Sequence, residues 1–401
     1  CYDVVIVGAG CAGLTAGIYA RSKMMKTLIL DSARVGGQLV SLYPEKGIHN
    51  YPGFETIQAR KLSDKLYAQA ESVECEIKEN ERVDTIENGD GELIVTTDKG
   101  TYHAKSVIIA IGMGSFKPKK MGCPGEDELA GKGVTYILPP KEELVGKKVT
   151  MFGGGNSAID MALIADSVTD TTIVHRRPDF RADESTVESL EKSNIRTVMS
   201  ANLVSINGTD KVESVTVSQD GKEFDIPTDL AVINIGISAD LDDLKKWGVE
   251  LTDDGLVKVN FDMTTSRPGV FACGNVVHVH DLVDFVSGES DLAGASAAAY
   301  VLKGEASDTV VLDLVPGNGV GYTVPQRVRP ADVDRSVNIS FRVRQNYGPS
   351  QITVACGGRQ LARFKRQRMA PGEMEHIALP KVLLEKADGP LTVAVEEVIA
   401  E

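Results

Sequence analysis

Tyr2–Gly13 reads YDVVIVGAGCAG: a short apolar run rich in β-branched residues that passes straight into Gly8-Ala-Gly10-Cys-Ala-Gly13. The next stretch, Leu14–Lys23, has helical character, and a second apolar run, Thr27–Leu30, ends in Asp31, 23 residues after Gly8. Strand, G-x-G-x-x-G, helix, strand and acid in this order predict a dinucleotide-binding βαβ unit. Gly8 permits the tight turn. Gly10 lets the backbone approach a pyrophosphate at the helix N-terminus, where unpaired N–H groups favour an anion. Gly13 lets the helix pack close to the strand, and Asp31 can accept both hydrogen bonds of an adenosine ribose. Without a ligand, the same residues would be only a glycine-rich turn.

The pattern recurs. Lys148–Phe152 reads as a strand, followed by Gly153-Gly-Gly155-Asn156-Ser157-Ala158, a helix over Ile159–Asp166 and a strand over Thr171–Val174. This second strand ends in His175-Arg176-Arg177, with Arg181 four residues on, and carries no acid. A carboxylate there would repel a 2′-phosphate, whereas arginines bind one through charge-assisted hydrogen bonds. The second site is therefore expected to take NADPH in preference to NADH; the competing reading is a solvated basic turn. Two dinucleotide units of opposite preference point to a flavoprotein, FAD on the first and NADPH on the second.

Composition agrees with an enzyme of several domains. The 401 residues are 42% hydrophobic and 25% charged, the balance of a globular chain. The net charge of −14 disfavours sequence-independent nucleic-acid binding. Residues 307–401 hold 12 Lys/Arg against 11 Asp/Glu, whereas residues 1–306 hold 31 against 46, so the tail is a different segment. Apolar stretches such as Leu292–Leu302 fall short of the roughly 18 residues of a membrane span. No basic start with an apolar continuation marks a secretory signal. The six cysteines form no C-x-x-C pair and no zinc-spaced cluster, which predicts no metal site and a reducing, cytoplasmic setting.

The ordered motifs resemble the thioredoxin-reductase-like flavoproteins, and among them the ferredoxin/flavodoxin–NADP reductases. The resemblance rests on Gly8–Gly13, Gly36-Gly37-Gln38-Leu39, Leu42-Tyr-Pro-Glu-Lys46, Asn50-Tyr-Pro-Gly-Phe54, Ala110-Ile-Gly112, Gly153–Ala158, His175–Ala182 and Phe271-Ala-Cys-Gly274-Asn275, and covers residues 1–306. It implies an α/β fold with two Rossmann-like domains. FAD belongs to residues 1–114 and 237–306, the NADPH domain (115–236) is inserted between them, and 307–401 follow as a small C-terminal β-rich domain. The two chain crossings would form a hinge. The cofactor-binding residues it implies are Gly8, Gly10, Gly13, Asp31, Gly37, Gln38, Asn50, Gly112, Gly274 and Asn275 for FAD. For NADPH they are Gly153, Gly155, Asn156, Ser157, His175, Arg176, Arg177 and Arg181. Homodimers are common in this group.

Two departures matter. Thioredoxin reductases carry a redox C-x-x-C before the second glycine motif, but Gly133–Leu144 has no cysteine, and neither has Gly36–Tyr43. Without a thiolate beside the flavin, disulfide reduction is not expected. Cys11 and Cys273 read as packing residues. Asn275 stands where relatives usually have an Asp that holds the flavin ribityl chain. Beyond it, His278, His280, Asp281 and Asp284 precede a helix expected over Asp284–Leu302, whose N-terminus would face the flavin. His278, His280 and Asp284 are thus candidates for proton handling at the flavin. The competing readings are a loop with satisfied histidines, or a metal bound by H-x-H on one strand face.

The segment around His278–Asp284 and the tail motifs Gly319–Gln326, Phe341–Arg344, Pro371–Glu375 and Leu391–Glu397 resemble oxidoreductases found with glycerol-3-phosphate or amine dehydrogenases. Alternating runs at Ser336–Arg344, Gln351–Ala355 and Leu391–Val395 predict a sandwich or small antiparallel sheet. Arg363–Arg368 is its one basic cluster, open to an acidic partner or to solvent alone. Three roles follow for the whole chain. It passes electrons to ferredoxin or flavodoxin, or reduces oxygen, a quinone or another small molecule, or serves as a flavin-bound subunit of a larger dehydrogenase.

Overall fold

A computed structural model describes residues 1–42, 44–304 and 310–397. Tyr43 of the Leu42–Lys46 motif and the boundary expected at 306/307 lie outside the described residues. The chain divides into two compact units, Cys1–Gly114 with Leu241–Glu401, and Ser115–Asp240.

The first unit is built on a seven-stranded sheet in which Tyr2–Val7 lies parallel between Thr27–Leu30 and Thr101–Ile109. Val4, Val5 and Ile6 are fully buried, as a strand covered on both faces requires. Val270–Ala272 joins the same sheet parallel to Thr101–Ile109 and brings the Gly274 turn beside the first glycine loop. Helices Cys11–Ser22 and Val283–Lys303 pack on each other. A Cβ at Gly294 would lie 2.5 Å from Ala16 O, so this approach requires glycine.

The tail has its own core, which includes Val337, Ile339, Phe341, Ile352, Leu391 and Val393. It forms a five-stranded and a three-stranded sheet. The larger sheet is mixed, because Leu312–Pro316 runs parallel to Leu391–Glu397, a pairing between strands far apart in sequence that an antiparallel expectation misses. Its strand Arg359–Arg366 is an edge, and exposed Arg363 and Lys365 keep that edge soluble. The tail is bonded to the segment that precedes it in the same unit: Gln326 exchanges hydrogen bonds with the Val259 backbone, and Arg327 and Arg329 pair with Glu250 and Asp262. Arg342 pairs with Asp281 and donates to Val279 O at 3.0 Å, while Asp281 also accepts from Met374 N at 2.7 Å. Arg342→Ala removes this half-buried clamp, and a loss of about 1–3 kcal/mol in urea unfolding, with earlier proteolysis of the tail, is the expected result.

The second unit carries a five-stranded parallel sheet with Lys148–Phe152 between Asp170–Val174 and Leu230–Ile233. An antiparallel sheet of Ala201–Asn207, Ser214–Gln219 and Lys222–Pro227 is added to it in sequence. The two chain crossings, Ser115–Pro118 and Ile237–Asp240, pair antiparallel. This pairing carries the unit on to Asp240, beyond the expected 236, because a two-stranded connection needs both partners.

Candidate active site: two glycine cradles and a buried histidine–glutamate cluster

Helix Cys11–Ser22 starts at Gly10 with no side chain capping it. Helix Asn156–Asp166 starts at Gly155 in the same way. The two helix starts after glycine loops thus keep N–H groups without a side-chain acceptor, the arrangement that receives a pyrophosphate.

In the first cradle, Gly8 has φ +108°, and a Cβ there would lie 2.4 Å from Ala110 O. At Gly13 a Cβ would lie 1.8 Å from Gly8 O, whereas at Gly10 the nearest atom would be Gly37 Cα at 3.7 Å. The helix therefore packs without side chains against the loop, and the loop presents bare backbone beside Gly37. Asp31 accepts from Ala9 N at 2.6 Å and from Ala33 N at 2.8 Å. It anchors the loop, and burial raises its pKa despite those bonds. Asn275 Nδ2 donates to Gln38 Oε1 at 3.0 Å, and Gly274 lies against Ala12, so both late motifs reach the first cradle. Gly112, with φ +60°, has open space where a Cβ would be. Asn50 is exposed; its neighbour Tyr51 makes the connection, with its hydroxyl 3.2 Å from Ser287 Oγ. These features fit an FAD site.

In the second cradle, a Cβ at Gly155 would meet nothing within 4 Å. Asn156 Oδ1 accepts from Asp183 N at 2.8 Å, and Arg181 N donates to Gly154 O at 2.7 Å, so the arginine loop folds back on the glycine loop. Ser157 lies half-buried in the first turn of the helix. Arg176 and Arg181 are exposed, Arg177 is half-buried, and none of the three forms an ion pair among the described residues. His175 has a different setting: it is buried, stacked on Phe180 at 5.4 Å, and its ring fills the space a Cβ at Gly154 would need. Burial lowers its pKa, and the ring supports the loop. The open glycine and free arginines fit an NADPH site.

His278 and His280 occupy a loop after the Gly274–Val276 turn, not the strand face that the metal reading assumed. The residue that organises them is Glu289, in the second turn of helix Val283–Lys303, which no local motif marks. His278 Nε2 donates to Glu289 Oε2 at 2.7 Å, and Gly274 N donates to Oε1 at 2.7 Å. His280 Nε2 lies 3.3 Å from Oε1, and His280 N donates to Asn275 Oδ1 at 3.1 Å. Asp284 Oδ1, at the start of the helix, is buried without a partner. Burial works against the charge on Glu289, but the two imidazoles outweigh it and hold its pKa at about 2. Burial lowers the pKa of His278. Glu289→Ala leaves the cluster incomplete and is expected to cost about 3–5 kcal/mol. The sign with pH follows from a depressed carboxylate: the contribution of Glu289 is fully present above its ordinary value of 4.5 and is lost as pH falls towards 2. The acid limb of a stability–pH curve between those values should flatten in Glu289→Gln.

All six cysteines are free. Burial raises the Cys11 thiol and pushes Cys273 up to about 12 and Cys75 and Cys123 up to about 11. These four thiols lack the thiolate character that disulfide exchange needs. Among the described residues, no helix is long and apolar enough to cross a membrane.

Each unit sets parallel strands beside a bare glycine cradle at a helix start, the arrangement of a two-dinucleotide class of protein. The pyridine nucleotide-disulphide oxidoreductase family matches residues 2–299. The chain is 37% identical over 309 residues to a ferredoxin–NADP reductase of Enterococcus faecalis, spanning 75% of this chain and 92% of that one. It is 38% identical over 311 residues to that of Thermus thermophilus, spanning 74% and 92%. Among solved structures, it is similar to the thioredoxin reductase of T. acidophilum, with a TM-score of 0.70 and 33% identity over 75% of this chain and 99% of that one. The chain belongs to the pyridine nucleotide-disulphide oxidoreductase family, and is an FAD-dependent NAD(P)H oxidoreductase.

Proposed function

We propose that the chain oxidises NADPH and passes the electrons singly to a ferredoxin or a flavodoxin, ferredoxin first. The observation that carries the cofactor choice is the contrast between strand ends, Asp31 in the first unit and unpaired Arg176, Arg177 and Arg181 in the second. The acceptor rests on the ferredoxin–NADP reductases to which the chain is 37–38% identical, and on the lack of a cysteine pair. FAD, when bound, accepts a hydride from NADPH and releases electrons one at a time.

The residues of the chain bind and orient. Gly8, Gly10, Gly13, Gly37 and Gly112 offer FAD bare backbone, and Gln38, Gly274 and Asn275 close the cradle. Gly153, Gly155, Asn156 and Ser157 receive the NADPH pyrophosphate, with the 2′-phosphate on the three arginines. His278, His280 and Asp284 supply polar groups beside the flavin site. Asn50 and Tyr51 border it. A homodimer and a cytoplasmic location belong to the same reading.

The test is NADPH-driven reduction of ferredoxin, followed by coupled reduction of cytochrome c. Turnover that depends on ferredoxin supports the proposal. NADPH oxidation that yields only peroxide, whatever ferredoxin is added, contradicts it and assigns a small-molecule acceptor.

A further inference from the structure

We propose that His278, His280 and Glu289 bind one divalent transition-metal ion, zinc by first preference. One ligand atom from each residue lies within 4.8 Å of the others. The imidazole rings are 4.2 Å apart, and Glu289 reaches both, at 2.7 and 3.3 Å. Ligands at zinc distances of about 2.0–2.2 Å stand roughly 3–3.5 Å from each other around the ion. The cluster is therefore within a small adjustment of a coordination shell.

The hydrogen bonding of the cluster is incomplete without an occupant. The His278 and His280 side chains are 2% and 3% exposed, yet His278 Nδ1 and both ring nitrogens of His280 have no hydrogen-bond partner. Buried polar atoms in native structures nearly always have one. An ion held by Nε2 of both rings would occupy one of these three atoms, His280 Nε2, and would displace the His278–Glu289 bond. It would also set a double positive charge beside a buried carboxylate.

Contacts around the cluster hold Glu289 and the loop backbone in place, while the Nδ1 atoms of both rings stay without a partner. Gly274 N–H fixes Glu289 Oε1, and Asn275 Oδ1 fixes the His280 backbone. Next in the chain, Asp281 is clamped by Arg342 and by Met374 N. Such outer contacts orient ligands and raise affinity. Two imidazoles and one carboxylate suit zinc or iron(II) better than calcium or magnesium, and three protein ligands leave a position for water. A bound ion would join the 278–281 loop, and through Asp281 the tail, to helix Val283–Lys303.

The competing occupant for the orphaned nitrogens is the flavin itself. The experiment therefore uses the FAD-loaded chain with Cys1→Ser, so that the exposed thiol takes no metal. The protein is treated with EDTA, given zinc chloride, desalted and analysed for zinc and flavin. About one zinc per chain is expected, with loss to background in His280→Asn and Glu289→Gln. His280→Asn keeps the His278–Glu289 bond, so its fold should survive even if Glu289→Gln unfolds, and its zinc is compared with the parent's at equal flavin content. Zinc raises the melting midpoint of the parent by several degrees and leaves His280→Asn unchanged. Equal zinc in parent and His280→Asn, or zinc uptake only after flavin is stripped, overturns the proposal.

Discussion

Gly13→Ala should purify without flavin. A Cβ at this position would lie 1.8 Å from Gly8 O, a backbone atom that cannot rotate away. Relief demands that helix Cys11–Ser22 move off the strand, or that the Gly8 turn open. Either movement displaces the uncapped N–H groups that receive the pyrophosphate. Overpacking against backbone costs upwards of about 3 kcal/mol, and the same energy taken from binding lowers FAD affinity about 100-fold or more. Gly100→Ala is the control, since a Cβ there meets nothing within 4 Å. It should bind FAD as the parent does. The measurement is the flavin-to-protein absorbance ratio after gel filtration, with FAD titration of the apoprotein.

Replacing Arg176, Arg177 and Arg181 together by alanine should abolish the preference for NADPH and leave turnover with NADH nearly intact. Arg176 and Arg181 are exposed, and none of the three has an ion-pair partner among the described residues, so their loss breaks no internal structure. Each charge-assisted hydrogen bond to a phosphate is worth about 1.5–3 kcal/mol. Two such bonds correspond to a rise in KM for NADPH on the order of 100-fold or more. His175→Ala should behave differently. It empties the space beneath Gly154 and is expected to weaken both nucleotides, because it disturbs the loop that holds the pyrophosphate. Steady-state kinetics with NADPH and NADH separate the two cases.

The cradles were legible because each is local. Strand, glycines and helix follow one another within about 25 residues, and Tyr2–Val7 and Lys148–Phe152 are strands as the periodicity predicts. The helices begin earlier than their apolar patterns, at Cys11 and Asn156, because the glycine turn itself sets the first helical residue. What the sequence hid depends on distance along the chain. Glu289 meets His278 only because the loop turns back over the second turn of a helix, and no spacing rule connects them. The parallel pairing of Leu314 with Leu391 joins strands 77 residues apart. The attachment of the tail rests on single arginines, Arg327, Arg329 and Arg342, scattered among others that stay in solvent. Local alternation showed the strands of the tail, but carried no sign of what they rest on.

The central claim is that NADPH reduces FAD in this chain and that no cysteine pair takes part. It is tested most directly by mixing the purified yellow protein with NADPH or NADH without oxygen and following the flavin absorbance in a stopped-flow instrument. Bleaching within seconds by NADPH, much slower with NADH and unaffected by alkylation of the cysteines, is the predicted result. A flavin that stays oxidised with NADPH, or that bleaches only when the thiols are free, would contradict the account.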